Sequence, residues 1–223
     1  MMEHSTRDRL LNAALPHVVF DGWSTETFVA ACQDIGLEPA AGHAICPRGA
    51  VDLASAYHKR ADAGIDASEL GEMRYSERVS DLVWRRIQAV DKDVVRRGMA
   101  LFALPHHAAE GTALVWGTAD AIWVALGDSS DDLNWYSKRA ILTGVVSSTV
   151  LFWLGDTSEG DADTRAFIDR RIADVMRFEK FKGQVRANPA LKPLTGLIGR
   201  IAEAVPAPKT GPVSGYPGWV KGK

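Results

Sequence analysis

The segment from residue 129 to residue 139 holds the densest group of side chains that could recognise a partner or a ligand. It reads Ser-Ser-Asp-Asp-Leu-Asn-Trp-Tyr-Ser-Lys-Arg and brings carboxylates, an amide, two large aromatic rings and two cations together. One interpretation makes Asp131 or Asp132 an ordinary helix N-cap, because its carboxylate can accept from free backbone N–H groups. Trp135 and Tyr136 would then be ordinary buried aromatic residues. The second interpretation is a binding site, and the residues of this segment leave both open.

Other reactive residue types do not form a catalytic or metal-binding pattern. His106 and His107 are adjacent, so they cannot share one face of a helix, and the sequence contains no Glu-x-x-His or His-x-x-x-His pair. Ser147 and Ser148 lack the Gly-x-Ser-x-Gly context of a nucleophile elbow. We therefore expect no catalytic residue, no bound metal and no cofactor.

The composition is that of a globular protein. Hydrophobic residues make up 46% of the 223 residues, and the net charge of −2 provides no overall positive field that would attract nucleic acid. Two cysteines are too few for a disulfide scaffold and favour a reducing compartment, with Cys32 in an apolar helical pattern as a core residue. The polar N-terminus is unlike a secretory signal, and the apolar run 140–154 is too short and too polar to span a bilayer.

Helical periodicity extends through almost the whole chain and predicts an all-α fold of about nine or ten helices. Apolar residues recur at helical spacing in 6–21, 25–34, 48–62, 76–90, 92–104, 108–126, 134–154, 161–183 and 193–204. A further short helix is predicted near Pro39. The predicted units are an N-terminal module over 6–62, a helical domain over 76–185, an amphipathic helix over 190–204 and a disordered tail over 205–223.

The helix predicted over 134–154 has two apolar stripes, which indicates burial on two faces. One stripe holds Ile141, Val145 and Phe152, and the other holds Leu142, Val146 and Trp153. In the preceding helix, Asp120 lies at helical spacing between Trp116 and Trp123. Its ordinary role would be to cap the helix or accept from an indole N–H, and a functional role is the alternative.

Residues 6–62 predict helix-turn-helix organisation, with Ser24 or Thr25 as the N-cap of the second helix. This module resembles the DNA-binding end of TetR regulators, whose third helix enters the major groove. The matching stretch 38–48 offers only His43 and Arg48 as polar donors. Phosphate binding needs several neighbouring cations and base readout needs bidentate donors, so DNA binding is disfavoured, although the sequence leaves it open.

A series of motifs further along the chain is more specific. In order, these are Ala103-Leu104-Pro105-His106-His107, Ile122-Trp123, Gly127-Asp128 and Asp132-Leu133-Asn134-Trp135-Tyr136-Ser137-Lys138-Arg139-Ala140. This order resembles the Coq family of ubiquinone-biosynthesis accessory proteins, specifically its ninth member, over roughly residues 7–185. The Asn-Trp-Tyr-x-x-Arg core is the most specific part of the resemblance.

The resemblance implies a function as well as a fold. The protein would be an all-helical, TetR-like homodimer that has given up DNA reading, and it would not be an enzyme. Its cavity would hold an isoprenoid quinone intermediate or a phospholipid. It would present the quinone to the di-iron demethoxyubiquinone hydroxylase. The alternative is a ligand-responsive transcriptional repressor of the TetR type that binds DNA through residues 25–46.

The same resemblance implies three groups of site residues. The hydroxylase would dock on Asp132, Leu133, Asn134, Trp135, Tyr136 and Arg139, where exposed Trp, Tyr and Arg side chains would supply most of the binding energy. The lipid would contact Leu114, Trp123, Ile141, Val145 and Phe152. A C-terminal amphipathic helix would bind the membrane surface through Leu194, Leu197, Ile198 and Ile201, or would pack on the domain instead. We expect a bacterial cytoplasmic protein on the inner membrane, or one on the matrix side of the membrane in a eukaryote.

Overall fold

A computed structural model describes residues 5–129 and 133–187, with side chains placed over 5–129 and 135–177. Over these residues the chain is helical, as predicted. The helices are α1 (Thr6–Asp21), α2 (Thr25–Asp34), α3 (Pro39–Ile45), α4 (Ala50–Asp62), α5 (Tyr75–Gln88), α6 (Lys92–Phe102), α7 (Ala108–Ala125), α8 (Leu133–Leu154) and α9 (Ala162–Ala187), with a 3-10 turn at Glu159–Asp161 before α9.

Local signals in the sequence account for several helix starts. The Ser24 hydroxyl accepts from the backbone N–H of Thr27, so Ser24 is the N-cap of α2, as predicted. Asp91 caps α6 in the same way, and Pro39 occupies the first turn of α3, where its missing N–H costs nothing. The helix predicted over 193–204 lies outside the described residues, as do the proposed caps Asp131 and Asp132.

The apolar faces of these helices form two cores. The first joins α1 to α4 and includes Phe28 and Cys32, which are fully buried, so the interpretation of Cys32 as a core residue is confirmed. The second joins α5, α7, α8 and α9 around Ile122 and Leu142. The division into units 6–62 and 76–185 stays a prediction.

The helices α7 and α8 pack against each other, and α8 also packs on α9. Val145 and Val146 are both buried although they project from neighbouring faces of α8, which confirms burial on two sides of this helix. Among the described residues, no helix is both long and apolar enough to cross a membrane.

Candidate functional site

A cavity of about 430 Å³ lies between the two cores, bounded by α4, α5, α6, α7 and α8. Aromatic and aliphatic side chains dominate its walls, among them Trp23, Tyr57, Phe102, Val146, Val150 and Trp153. Thr112 near the start of α7 and Leu151 near the end of α8 also line the cavity and are exposed. The cavity therefore opens to solvent at that end of the two helices. Its size and lining suit a small apolar ligand.

One corner of this cavity is polar. The side chains of His58, Arg86 and Thr118 line it, and Asp62 joins them. Arg86 Nε donates to Asp62 Oδ1 at 2.6 Å, and the Thr118 hydroxyl donates to the same oxygen at 2.9 Å. His58 Nε2 lies 2.8 Å from Thr118 Oγ1 and 3.1 Å from the carbonyl oxygen of Leu114. The corner is thus a connected hydrogen-bond network inside an otherwise apolar space.

Helical spacing brings this network together. His58 and Asp62 are four residues apart on α4, as are Leu114 and Thr118 on α7, so each pair shares one helix face. Burial and the nearby Arg86 guanidinium lower the pKa of His58, although Asp62 opposes that shift. The His58 ring is therefore neutral near pH 7.

The structure places the predicted lipid residues in different surroundings. Leu114 lines the cavity. Trp123, Ile141 and Val145 lie instead around a smaller pocket between α5, α7, α8 and α9. Phe152 is 37% exposed and stacks on Phe167 at a centroid distance of 4.5 Å.

Members of the two stripes of α8 thus face different pockets, and the predicted lipid contacts of Trp123, Ile141, Val145 and Phe152 stay a prediction. Val146 and Trp153, which belong to the second stripe, are the members that line the cavity. The polar corner was not predicted. Its signal in the sequence was the spacing of His58 and Asp62 on one helix, together with Arg86 on the apolar face of α5.

The segment 129–139 is partly described. Asp132 lies outside the described residues, and Leu133 and Asn134 begin α8, with side chains outside the description. The rings of Trp135 and Tyr136 are half-buried and meet edge to face at a centroid distance of 4.8 Å.

Arg139 is 2% exposed, so the expectation of an exposed guanidinium is wrong. Its Nε donates to Asp120 Oδ1 at 2.6 Å, and its Nη1 donates to Asp128 Oδ2 at 3.1 Å. Asp120 thus receives a guanidinium and not the indole N–H that its position suggested. The Asp128 side chain is only 3% exposed and also accepts from Lys138 Nζ at 2.6 Å. Two carboxylates stabilise the buried cation, which explains why it leaves the surface.

Arg48, in the turn between α3 and α4, forms ion pairs with two carboxylates of the same chain. Arg48 donates to both carboxylate oxygens of Glu110, at 2.6 and 2.9 Å, and its Nε donates to Asp52 at 2.8 Å. This bidentate pair joins the turn before α4 to α7, and it lowers the pKa of Glu110 to about 2. Arg48, one of the two polar donors of the stretch 38–48, is therefore held against α7.

The remaining predicted site is not described. Leu194, Leu197, Ile198 and Ile201 lie outside the described residues. Within the described part of the chain, no group of three or more His, Cys, Asp or Glu residues could hold a metal ion.

Comparison with known proteins places this arrangement in context. A family model described as COQ9 matches residues 108–179, which span α7, α8 and most of α9. The chain is 28% identical over 220 residues to the mitochondrial ubiquinone biosynthesis protein COQ9 of Bos taurus, covering 87% of this chain and 69% of that protein. It is 27% identical over 219 residues to the Homo sapiens protein of the same name, with coverage of 87% and 69%.

A solved structure supports the fold. The TetR transcriptional regulator from Nitrosomonas europaea ATCC 19718 superposes with a TM-score of 0.62 at 20% identity, covering 76% of this chain and 97% of that one. The helices therefore have the TetR arrangement, as predicted. The family match includes Arg139 and both of its carboxylate partners. Together with the relatives matched over most of its length, this family match supports a relationship between the chain and COQ9 proteins.

Proposed function

We propose that this protein acts in ubiquinone biosynthesis as a non-enzymatic lipid-binding protein. In this proposal it holds an isoprenoid quinone intermediate and presents it to the demethoxyubiquinone hydroxylase. Two relatives with that pathway in their names support a role in ubiquinone biosynthesis. The observation that carries lipid binding is the apolar cavity of about 430 Å³ with one polar corner.

The cavity can supply the affinity that such a role needs. Each methylene group that leaves water contributes about 0.8 kcal/mol, so about ten buried methylenes would contribute about 8 kcal/mol before the entropic costs of binding. Thr112 and Leu151 border the open end, where a longer isoprenoid tail could leave the protein. A phospholipid chain would satisfy the same walls and is the second ligand class that we propose.

The proposed docking surface for the hydroxylase is the start of α8. Trp135 and Tyr136 present half-buried rings, and aromatic residues of this kind often dominate protein–protein binding energy. Asp132, Leu133 and Asn134 complete the surface in the proposal. Arg139 has a different role from the one expected: it supports Trp135 from the interior.

The proposal also includes a homodimer and a peripheral membrane location. Membrane contact would come from the C-terminal residues Leu194, Leu197, Ile198 and Ile201, whose spacing fits one apolar face of an interfacial helix. The dimer is a prediction from the resemblance.

A TetR-type repressor is the competing function, because the fold is shared with a transcriptional regulator. The internal pairing of Arg48 counts against it, since phosphate contacts need free cations. To separate the two functions, we would purify the full-length protein, extract bound lipid for mass spectrometry, and measure retention of genomic DNA fragments at low salt. We expect isoprenoid quinone or phospholipid and no specific DNA complex. A salt-sensitive, sequence-specific DNA complex without lipid would overturn the proposal.

A further inference from the structure

The hydrogen atom of the His58 ring can be placed from the surrounding oxygens. Nε2 lies 3.1 Å from the carbonyl oxygen of Leu114, 2.8 Å from Thr118 Oγ1 and 3.5 Å from Asp62 Oδ2. A carbonyl oxygen and a carboxylate can only accept. The Thr118 hydroxyl lies 2.9 Å from Asp62 Oδ1 and 3.4 Å from the Leu114 carbonyl oxygen, so its hydrogen has acceptors other than Nε2 and its oxygen can accept from Nε2. A hydrogen on Nε2 satisfies the acceptor-only oxygen of Leu114 and leaves the Thr118 hydrogen for Asp62, so we assign the hydrogen to Nε2.

This assignment determines the chemistry of the second ring nitrogen. In a neutral imidazole one nitrogen donates and the other accepts, so Nδ1 of His58 is an acceptor. No residue in the described ranges forms a hydrogen bond with Nδ1, and Nδ1 is not among the enclosed polar atoms. The His58 side chain is 25% exposed and lines the cavity. Nδ1 is thus an acceptor with no protein partner among the described residues, on a side chain that lines a largely apolar cavity.

The charges around this nitrogen do not favour an anionic ligand. Arg86 is balanced by Asp62, to which it donates at 2.6 Å, and it also donates to the backbone oxygen of His58 at 3.2 Å. The lowered pKa of His58 keeps the ring neutral. The acceptor therefore suits a neutral group with a hydrogen to donate. Aromatic walls at Trp23 and Tyr57 suit a ring that bears that group.

We propose that Nδ1 of His58 accepts a hydrogen bond from a ring hydroxyl of the bound lipid. The cavity then prefers a phenol or hydroquinol head over a quinone or an aryl ether, which can only accept. This inference rests on the proposed function, because it assumes that the cavity holds a lipid. It adds that the site selects the reduced, hydroxyl-bearing form of the isoprenoid quinone intermediate.

The test uses two stable probes that differ in the donor hydrogen. Para-nonylphenol carries the hydroxyl, and para-nonylanisole replaces it with a methyl ether. Binding of each to the full-length protein, stripped of lipid, is measured by calorimetry. We expect the phenol to bind about three- to tenfold more tightly, as one additional hydrogen bond would give.

Two matched variants identify the residue responsible. His58→Phe keeps a ring of similar shape without the acceptor, and His43→Phe makes the same change at an exposed position on α3. The preference for the phenol should disappear in the first variant and persist in the second. If wild-type protein binds both probes equally, or if His58→Phe keeps the preference, this inference is overturned while lipid binding stands. If neither probe binds, the proposed lipid function fails and the inference with it.

A second measurement does not depend on the folding of a variant. Long-range proton–nitrogen spectra of wild-type protein report which nitrogen of His58 carries the hydrogen. We expect Nδ1 to be the unprotonated nitrogen and its resonance to move when para-nonylphenol binds but not when para-nonylanisole binds. A hydrogen on Nδ1 in the free protein would overturn the inference.

Discussion

Arg139 lies directly over the ring of Trp135, with 3.9 Å between Cζ of the guanidinium and the ring centroid. The two residues are one helical turn apart on α8, and Arg139 Nη1 also donates to the backbone oxygen of Trp135 at 3.3 Å. Asp120 and Asp128 accept hydrogen bonds from the same guanidinium. The orientation of the aromatic ring is therefore linked to a buried ion-pair network.

Replacing Trp135 by Lys tests the proposed docking surface. We expect hydroxylase binding to weaken more than tenfold, because a half-buried aromatic contact is lost and a cation enters beside Arg139. Pull-down and calorimetric titration with the purified hydroxylase measure this loss. Helicity by circular dichroism and lipid content should not change.

Phe20→Lys is the matched control, because Phe20 is exposed on α1 and the same charge is added. It should bind the hydroxylase like the wild type. Unfolding of the Trp135→Lys variant would show instead that Trp135 is a core residue.

The buried network predicts a large stability effect for Arg139→Met. Removing the guanidinium leaves the carboxylate of Asp128 buried and partly uncompensated, and breaking such a pair costs about 3–5 kcal/mol. Urea unfolding measures the difference. Arg171→Met removes a more exposed cation that pairs with Asp174, and it should cost less than about 1 kcal/mol. Equal effects of the two substitutions would contradict a special role for the network.

Helix positions were predictable because apolar spacing and caps are local. The boundaries predicted for α1 and α2 match the structure, and those predicted for α4 to α9 differ by four residues or fewer. The burial of Arg139 was not predictable in this way, because its partners Asp120 and Asp128 lie on another helix and the loop that follows it. Arginine side chains are usually exposed, so a sequence predicts a surface position for an arginine whose buried counter-charges cannot be identified.

The residues that line the cavity were likewise not predictable from local sequence patterns. Two apolar stripes on α8 predicted two buried faces, but periodicity cannot tell which face meets a neighbouring helix and which meets a void. Val145 packs toward α9 and Val146 lines the cavity, although they are adjacent in sequence. Likewise, His58 acquires its role only when α7 brings Leu114 and Thr118 against it.

The pair between Arg48 and Glu110 predicts a pH-dependent contribution to stability. The pKa of Glu110 falls from 4.5 to about 2 on folding, so the contribution is present above the unfolded value and is lost as the pH falls toward 2. Because Arg48 is half-exposed, we expect Glu110→Gln to cost about 1–2 kcal/mol near neutral pH. Near pH 2 the variant and the wild type should be equally stable.

Urea unfolding across this pH range measures the effect. Glu72→Gln makes the same chemical change at an exposed position and should follow the wild type at every pH. A cost for Glu110→Gln that persists unchanged at low pH would mean that packing, and not the ion pair, is responsible.

The proposed membrane helix is tested by replacing Leu194, Leu197, Ile198 and Ile201 with Ser. Four large apolar side chains entering the interface contribute several kcal/mol, at about 25 cal/mol per Å² of buried apolar surface. We expect the variant to lose co-sedimentation with vesicles of phosphatidylcholine and phosphatidylglycerol, with unchanged thermal stability. A loss of stability with vesicle binding retained would support the alternative in which this segment packs on the domain.

Filling the cavity tests lipid binding directly. Val150 lies on the cavity wall, and Val150→Trp would place a large ring in the space of about 430 Å³ that the lipid would occupy. We expect the lipid that copurifies with the protein to fall at least severalfold by mass spectrometry, while circular dichroism stays helical. Val124→Trp adds the same side chain at a position that is 63% exposed on α7 and should keep its lipid. If both variants retain lipid at wild-type levels, the lipid binds elsewhere, and the cavity is not the site of the proposed function.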